Sequence, residues 1–318
     1  MISQIFSDCW FLTGATASGK SELGLHLAEL LKAEIISLDS MALYRGMDIG
    51  TAKPTIAEQA RVPHHLLDVI DPHDEFSVAQ YLEAAAKCVQ EIQQRNRQAL
   101  FVGGTPLYLK ALLRGLFEGP TADWELRKQW EAEAQEQPPD YLHEQLRKVD
   151  PIAAARLHPN DSRRIIRALE VYAKTGQPIS HWQQQFDRAR PASACRVFVL
   201  ERSREESLAR IDARVLTMFE QGLVEEVRQL LALPQPLSRT ASQAVGYRET
   251  LLHLTSGVTL ADTITAVQNS THRFARRQRT WFRSLSECRS LPVSGKLDAP
   301  TLAQYIATTG QIITPFSA

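Results

Sequence analysis

The chain lacks the features that announce several protein classes. Its four cysteines, Cys9, Cys88, Cys195 and Cys288, lie far apart and form no C-x-x-C pair. That argues against a disulfide framework and against a structural zinc site. Reduced thiols in a cytoplasmic protein are expected instead. No apolar run approaches the ~20 residues of a membrane-spanning helix, so no membrane partner is expected. Positions 1–8 carry no basic region and lead straight into a strand pattern, so no targeting peptide is read there. Net charge is absent too, since 36 Lys plus Arg balance 36 Asp plus Glu. A nucleic-acid partner must therefore be argued from local charge. No repeat or low-complexity segment occurs, and the tail after Leu291 carries no signal.

What is present is ordinary globular composition, 44% hydrophobic and 23% charged over 318 residues. That length suits one large domain or two modest ones. The strongest local pattern is Trp10-Phe11-Leu12-Thr13 followed by Gly14, Ala15, Thr16, Ala17, Ser18, Gly19, Lys20 and Ser21. It reads as a buried strand running into G-x-x-x-x-G-K-[ST], the phosphate-binding loop. Gly14 and Gly19 permit torsions that turn several N–H groups toward one point. A helix beginning near Lys20 adds the positive end of its dipole. Lys20 supplies a mobile charge for an outer phosphate, and the Ser21 hydroxyl suits a magnesium ion. A polyphosphate or pyrophosphate ligand follows; its identity does not.

Leu23, Leu27, Leu30 and Leu31 continue that helix at helical spacing. Residues 34–38 read as a second strand, which places Asp39 at a strand's carboxyl end, the edge where open α/β sheets bind ligands. A turn or cap role for Asp39 is equally open. Residues 41–75 are loop-rich, and His64-His65 on an extended segment point opposite ways, which argues against a shared ion. A helix from Val78 to about Gln98 precedes a third strand at 99–102. That strand ends in Gly103-Gly104-Thr105, where phosphoryl-transfer enzymes with this loop usually carry an acid. The glycines suggest close ligand approach, and Thr105 offers a hydroxyl. Past Gly119-Pro120 the pattern turns helical throughout 121–193, and 197–200 reads as strand again. The fold expected is therefore α/β: a P-loop NTPase-like core with a parallel sheet, formed by 1–120 and 194–318, plus an inserted all-helical subdomain at 121–193. In that insert Ile165, Ile166, Leu169 and Tyr172 make an apolar face. Arg163, Arg164 and Arg167 flank it, and taken alone they suit a solvated polar face. Arg214, soon after the fourth strand, suits either the phosphate site or a surface ion pair. A last long helix is read from Asp262 to about Ser290. Its segment 270–283 holds Arg273, Arg276, Arg277, Arg279 and Arg283 without an acid, while Phe274, Trp281 and Leu285 mark its buried side. Such a stripe is the footprint expected for a nucleic-acid backbone.

Together these residues resemble the tRNA dimethylallyltransferases (tRNA isopentenyltransferases, the IPP transferase family). The matching motifs are G-A-T-A-S-G-K-S at 14–21, D-S-M-A-L-Y-R-G-M-D-I-G-T-A-K-P at 39–54, P-H-H-L at 63–66 and G-G-T-x-L-Y at 103–108. H-P-N-D at 158–161, R-A-L-E at 167–170, V-G-Y-R at 245–248 and R-F-A-R-R-Q-R-T-W-F-R at 273–283 follow. They keep the family's order over most of the chain. The resemblance implies transfer of the dimethylallyl group of dimethylallyl diphosphate to the N6 amine of the adenosine 3′ to the anticodon. It implies Asp39 as proton acceptor, Thr105 as a positioning group and the phosphate-binding loop on the leaving diphosphate; the residues themselves are compatible, with Lys20, Arg214 and magnesium at Ser21 stabilising that diphosphate. The positions it assigns to the tRNA anticodon stem-loop are Asp39, Ser40, Met41, Ala42, Thr105, Arg127, Arg163, Arg164, Ile165, Ile166 and Arg167. Gln243, Ala244, Val245, Gly246, Tyr247, Arg248, Arg276, Arg277, Gln278, Arg279 and Arg283 complete that set. A monomer in the cytoplasm is expected.

The chain departs from the family pattern at Ala15, where proline is usual, at Ser21, where threonine is more frequent, and at Gln243, where relatives often carry arginine. The zinc finger of some eukaryotic members is not seen, which points to a bacterial or organellar form. Rival readings are an adenine-nucleotide isopentenyltransferase, a P-loop small-molecule kinase and an RNA-binding protein that uses nucleotide as a switch. The helical insert and its arginines speak against the first, because a free nucleotide needs no such platform.

Overall fold

Six short strands pair in parallel into one sheet, ordered β3-β2-β4-β1-β5-β6. They are β1 (Trp10–Gly14), β2 (Ala33–Ser37), β3 (His64–His65), β4 (Gln98–Gly103), β5 (Val197–Glu201) and β6 (Cys288–Pro292). β1 and β2 are buried at every residue, as expected of parallel strands covered on both faces. The computed structural model describes residues 5–116, 119–182 and 189–312. Its chain forms two compact units, Met1–Leu113 with Ala189–Ala318, and Arg114–Arg188.

The first unit begins with α1 (Lys20–Leu31), α2 (Ile56–Arg61), α3 (Val78–Gln94) and α4 (Pro106–Arg114). The second holds α5 (Trp124–Gln135), α6 (Tyr141–Val149), α7 (Pro151–Arg156), α8 (Ser162–Thr175) and α9 (Ile179–Trp182). The expected helical stretch at 183–188 lies outside the described residues. The chain then returns to the first unit with α10 (Arg204–Glu220), α11 (Leu223–Leu231), α12 (Arg239–Ser242), α13 (Tyr247–Ser256), α14 (Leu260–Arg283) and α15 (Ala299–Ile312). Among the described residues no helix is long and apolar enough to cross a membrane.

Side-chain alternation along β1 decides which layer each residue joins. Trp10 and Leu12 pack with Leu23 and Leu27 of α1 and with Ala303 and Ile306 of α15. Phe11 points the other way and stacks on Phe101 of β4, ring centroids 4.9 Å apart. Tyr81 of α3 and Tyr108 of α4 stack at 3.8 Å, and the Tyr81 hydroxyl donates to the Ser37 carbonyl at 2.8 Å. In the second unit Leu146, Ile165, Ile166, Leu169 and Val171 form a separate core.

Four expectations are corrected. The last long helix stops at Arg283, and residues 288–292 form the edge strand β6 instead of continuing it. The reason is that β6 buries only Leu291, so nothing in its composition resembles a core strand. The tail is not featureless, since α15 packs on α1 through Ala303, Ile306 and Ala307. The buried side of α14 is Thr263, Val267, Ser270, Ala275, Gln278 and Phe282, not Phe274 and Trp281. Likewise Tyr172 is exposed, and Val171 takes its place in the core.

The tightest contact in the sheet is at residue 103. A Cβ placed on Gly103 would lie 2.3 Å from the carbonyl carbon and oxygen of Leu38, so only glycine lets the ends of β2 and β4 meet. We expect Gly103→Ala to destabilise the protein by about 2 kcal/mol or more. Urea unfolding measures this, and an unchanged midpoint refutes the tight contact.

Candidate active site

β1 delivers the loop at residues 14–19 and α1 begins at Lys20. Gly19 caps the helix with φ 100°, a left-handed torsion that glycine adopts without strain. The loop's outer side is held by arginines from the β5–α10 segment. Arg202 donates from Nε to the Ser18 carbonyl at 2.9 Å, and Arg210 from Nε to the Ala17 carbonyl at 2.9 Å. Arg214 donates from Nη1 to Thr16 Oγ1 at 3.4 Å. An open cleft of about 460 Å³ lies here, lined by Ala17, Gly19, Lys20, Ser21, Glu22, Glu58, Arg210, Ala213 and Arg214. Convergent cations, a helix N-terminus and Ser21 at the rim make it suited to a polyanion.

The neighbouring strand ends bring up the polar groups. Asp39 follows β2 and accepts the Met41 N–H on Oδ1 at 2.9 Å. Thr105 follows β4; its N–H donates to the Leu38 carbonyl at 3.0 Å, and its Oγ1 accepts the Ser40 N–H at 3.1 Å. The two turns are thus one hydrogen-bonded unit. Asp39 is charge-coupled to the loop: its carboxylate raises the pKa of both Lys20 and Arg214. Burial still dominates at Lys20. It pushes the ammonium down to about 8, Arg214 adds to the shift and Asp39 opposes it. At Arg214 burial lowers the pKa, Asp39 raises it, and Arg210 lowers it further. Lys20 Nζ lies 3.5 Å from the Ala15 carbonyl.

The expectation that Gly103 and Gly104 leave room for a ligand is corrected. Gly103 is filled by the Leu38 backbone, and a Cβ on Gly104 would lie 2.6 Å from Gln278 Nε2. Both glycines are taken up by protein.

The residues assigned to tRNA fall into distinct surroundings. Ser40 and Met41 are half-buried beside Asp39, whereas Ala42 is buried. In the 243–248 loop Gln243 and Arg248 are exposed, Val245 is half-buried, and Ala244, Gly246 and Tyr247 are buried. On α14, Arg276 and Arg277 are exposed and Arg279 is half-buried. Arg283 is paired with Glu201 at 3.1 Å, so an acid from β5 does meet the stripe. Gln278 is buried beneath it. In the second unit Arg163 is exposed, and Arg164 is exposed and pairs with Asp161 at 3.2 Å. Ile165 and Ile166 are core residues. Arg127 and Arg167 both bind the fully buried Glu170: Arg127 through Nε and Nη2 at 3.1 and 2.8 Å, Arg167 through Nη1 at 2.5 Å. They neutralise an interior carboxylate, which limits what either can offer a ligand.

Sequence reasoning missed Arg202 and Arg210, although Arg210 stands one helical turn before Arg214. It also missed Glu226. That carboxylate accepts the N–H groups of Asp48, Ile49 and Gly50 at 3.0, 2.7 and 3.2 Å and the Tyr247 hydroxyl at 2.5 Å, so it ties down the 39–54 segment. An acid on the same helical face as Leu223, Val227 and Leu230 was the available signal.

Comparison with known proteins shows the family and the fold. The family model described as IPP transferase matches residues 42–285. A tRNA dimethylallyltransferase of Rhodopirellula baltica is 49% identical, over 98% of this chain and 96% of that protein. One of Geobacter metallireducens is 43% identical, over 90% and 93%. Among solved structures, the tRNA isopentenylpyrophosphate transferase of Bacillus halodurans gives a TM-score of 0.69 at 36% identity, covering 96% of this chain and 97% of that one. A eukaryotic dimethylallyltransferase acting on tRNA gives 0.70 at 26% identity, covering 95% and 76%.

The depressed Lys20 sets a pH expectation. Its charged form is the one that attracts phosphate, and that form is lost as pH rises through about 8. Affinity for inorganic pyrophosphate should therefore fall across that window, and Lys20→Arg, whose charge persists, should flatten the decline. Titration calorimetry from pH 6.5 to 9.5 reads both; identical profiles for the two proteins remove Lys20 from the site.

Proposed function

The chain belongs to the IPP transferase family, and from that premise we propose that it moves the dimethylallyl group of dimethylallyl diphosphate to the N6 amine of the adenosine 3′ to the anticodon of tRNA. The observation that carries this reading is that adjacent strands β2, β4 and β1 end in Asp39, Thr105 and the phosphate-binding loop, which joins a proton acceptor and an anion cradle at one sheet edge. N6 attacks the allylic carbon, the carbon–oxygen bond to diphosphate breaks, and the departing electron pair stays on the diphosphate. Lys20, Arg214 and the first N–H groups of α1 bind that developing charge. Asp39 takes the proton from N6. Thr105, joined to the Ser40 backbone, orients the amine or the allyl group. An adenine in a folded loop must be unstacked to reach such a site.

The cleft's oxygen donors suit a hard cation. Ser21 is exposed at its rim, which fits magnesium, and Ser21 would hold it with oxygens of the diphosphate. When bound, the ion supplies charge neutralisation for the leaving group. The exposed Arg276 and Arg277, the half-buried Arg279 and, in the helical unit, Arg163 and Arg164 are the candidates for the tRNA backbone. A monomer working in the cytoplasm, where tRNA is available, fits this reading.

Incubation with radiolabelled dimethylallyl diphosphate and bulk tRNA, followed by nucleoside analysis, tests the reaction. N6-dimethylallyladenosine is expected; brisk ATP turnover with dimethylallyl diphosphate inert would establish the kinase reading instead. Asp39→Asn should lower transfer by about 10²–10⁴-fold, the range for losing a general base, while leaving tRNA affinity near that of the parent protein. Arg276→Ala should weaken tRNA binding across sequences and reduce its salt slope by about 1. Chelation by EDTA should stop transfer and magnesium restore it; undiminished transfer in EDTA rules the ion out.

A further inference from the structure

Gln278 sits between Arg277 and Arg279 on α14, yet it is 3% exposed. Its two ends engage two different parts of the site. Oε1 accepts the Thr16 N–H at 2.9 Å, in the middle of the phosphate-binding loop. Nε2 donates to the Gly104 carbonyl at 2.6 Å, one residue before Thr105. Room for the amide exists because residue 104 has no Cβ. A primary amide is the neutral side chain that presents an acceptor and a donor side by side at this reach. A carboxylate would face the Gly104 carbonyl with a second acceptor, and an apolar chain would leave both backbone groups unpaired in a buried place.

The neighbours on the same helix face outward. Arg276 and Arg277 are exposed and Arg279 is half-buried, so the residue that grips the loop lies directly beneath the arginine stripe. The loop is thus referenced to the β4 end by a side chain from the helix that offers its outer face to a polyanion.

We propose that Gln278 is a positioning residue that braces the phosphate-binding loop against the Gly104–Thr105 turn and so sets the diphosphate's place relative to Thr105 and Asp39. It is not a tRNA contact. This deepens the transfer reading and rests on it for the identity of the ligand. Removing the brace frees the Thr16 N–H and the Gly104 carbonyl to rotate, which loosens diphosphate binding and alignment and leaves the outer arginines in place.

The test compares Gln278→Met, which keeps the shape without the hydrogen bonds, with Gln278→Glu, which keeps one acceptor and loses the donor. Binding of inorganic pyrophosphate is measured by calorimetry, tRNA binding by gel shift, and KM and kcat by transfer. In Gln278→Met, pyrophosphate affinity should fall about tenfold, the factor that one hydrogen bond of ordinary net strength represents. KM for dimethylallyl diphosphate should rise in parallel and kcat should fall, with KM for tRNA and tRNA affinity unchanged. Gln278→Glu should lose more on the same readouts. Arg279→Ala should show the reverse pattern, weaker tRNA binding with pyrophosphate binding intact. Weakened tRNA binding in Gln278→Met with pyrophosphate binding unaltered overturns the proposal, as does no change in either. If Gln278→Met does not melt cooperatively, Gln278→Glu decides on the same readouts; failure of both to fold assigns Gln278 to the core and also overturns it. Pyrophosphate binding is read without tRNA or turnover. A parent protein that binds pyrophosphate but transfers no prenyl group therefore sinks the transfer reading while the brace is judged on its own.

Discussion

The peptide of Leu38 occupies the space where any side chain on residue 103 would stand. That contact fixes how closely the ends of β2 and β4 approach, and the site is arranged around it. Asp39 and Thr105 are the next functional residues along each strand, and their turns exchange Thr105 N–H to Leu38 carbonyl and Ser40 N–H to Thr105 hydroxyl. On the other side of β4, the Thr13 hydroxyl donates to the Gly103 carbonyl at 2.8 Å, one residue before the phosphate-binding loop. Three strand ends are locked before any loop begins. A carboxylate, a hydroxyl and an anion cradle then hold their separations without relying on mobile segments.

Charge is the second constraint. Lys20, Arg210 and Arg214 line one cleft, and like charges brought together out of water destabilise one another. At Lys20 burial lowers the pKa most, repulsion from Arg214 adds to it, and Asp39 offsets part of the shift. An incoming diphosphate relieves the repulsion, so the strain held in the cation cluster favours an anion over a neutral ligand. In the helical unit the chain supplies the anion for such a cation pair itself. There the buried carboxylate of Glu170 is satisfied by Arg127, Arg167 and the Asp123 N–H.

Much of this was legible in the residues. The loop motif, the buried strands and the place of Asp39 at a strand end follow from spacing and apolar runs. What escaped has physical reasons. β6 is a half-exposed edge strand whose composition carries no core signal. Gly103-Gly104 looks the same in sequence whether a ligand or the protein's own backbone fills the space. The pairing of Arg167 with Glu170 could be guessed from its i,i+3 spacing, but Arg127 meets the same carboxylate from 43 residues away. Gln278 was hidden by its neighbours: a polar residue among arginines reads as surface, and only the helical phase of Ala275, Gln278 and Phe282 turns it inward.

The second layer around the site comes from the later part of the chain. Chemistry-bearing groups lie before residue 106, with the exception of the cationic Arg210 and Arg214. Their restraints come from beyond the helical unit: Arg202 and Arg210 on the loop carbonyls, Gln278 on Thr16 and Gly104, and Glu226 on the 48–50 backbone. β1 pairs with β4 on one side and β5 on the other, so the sheet itself spans the insertion. Arg202, Gln278 and Glu226 are buried polar side chains that hold backbone, and such bonds are directional where apolar packing is not. Apolar contacts alone would keep the layers together and let the loop drift by the fraction of an ångström that matters to an aligned displacement. Directional holds from a later, separately encoded set of helices remove that freedom, and α14 does so with one face while offering arginines on the other.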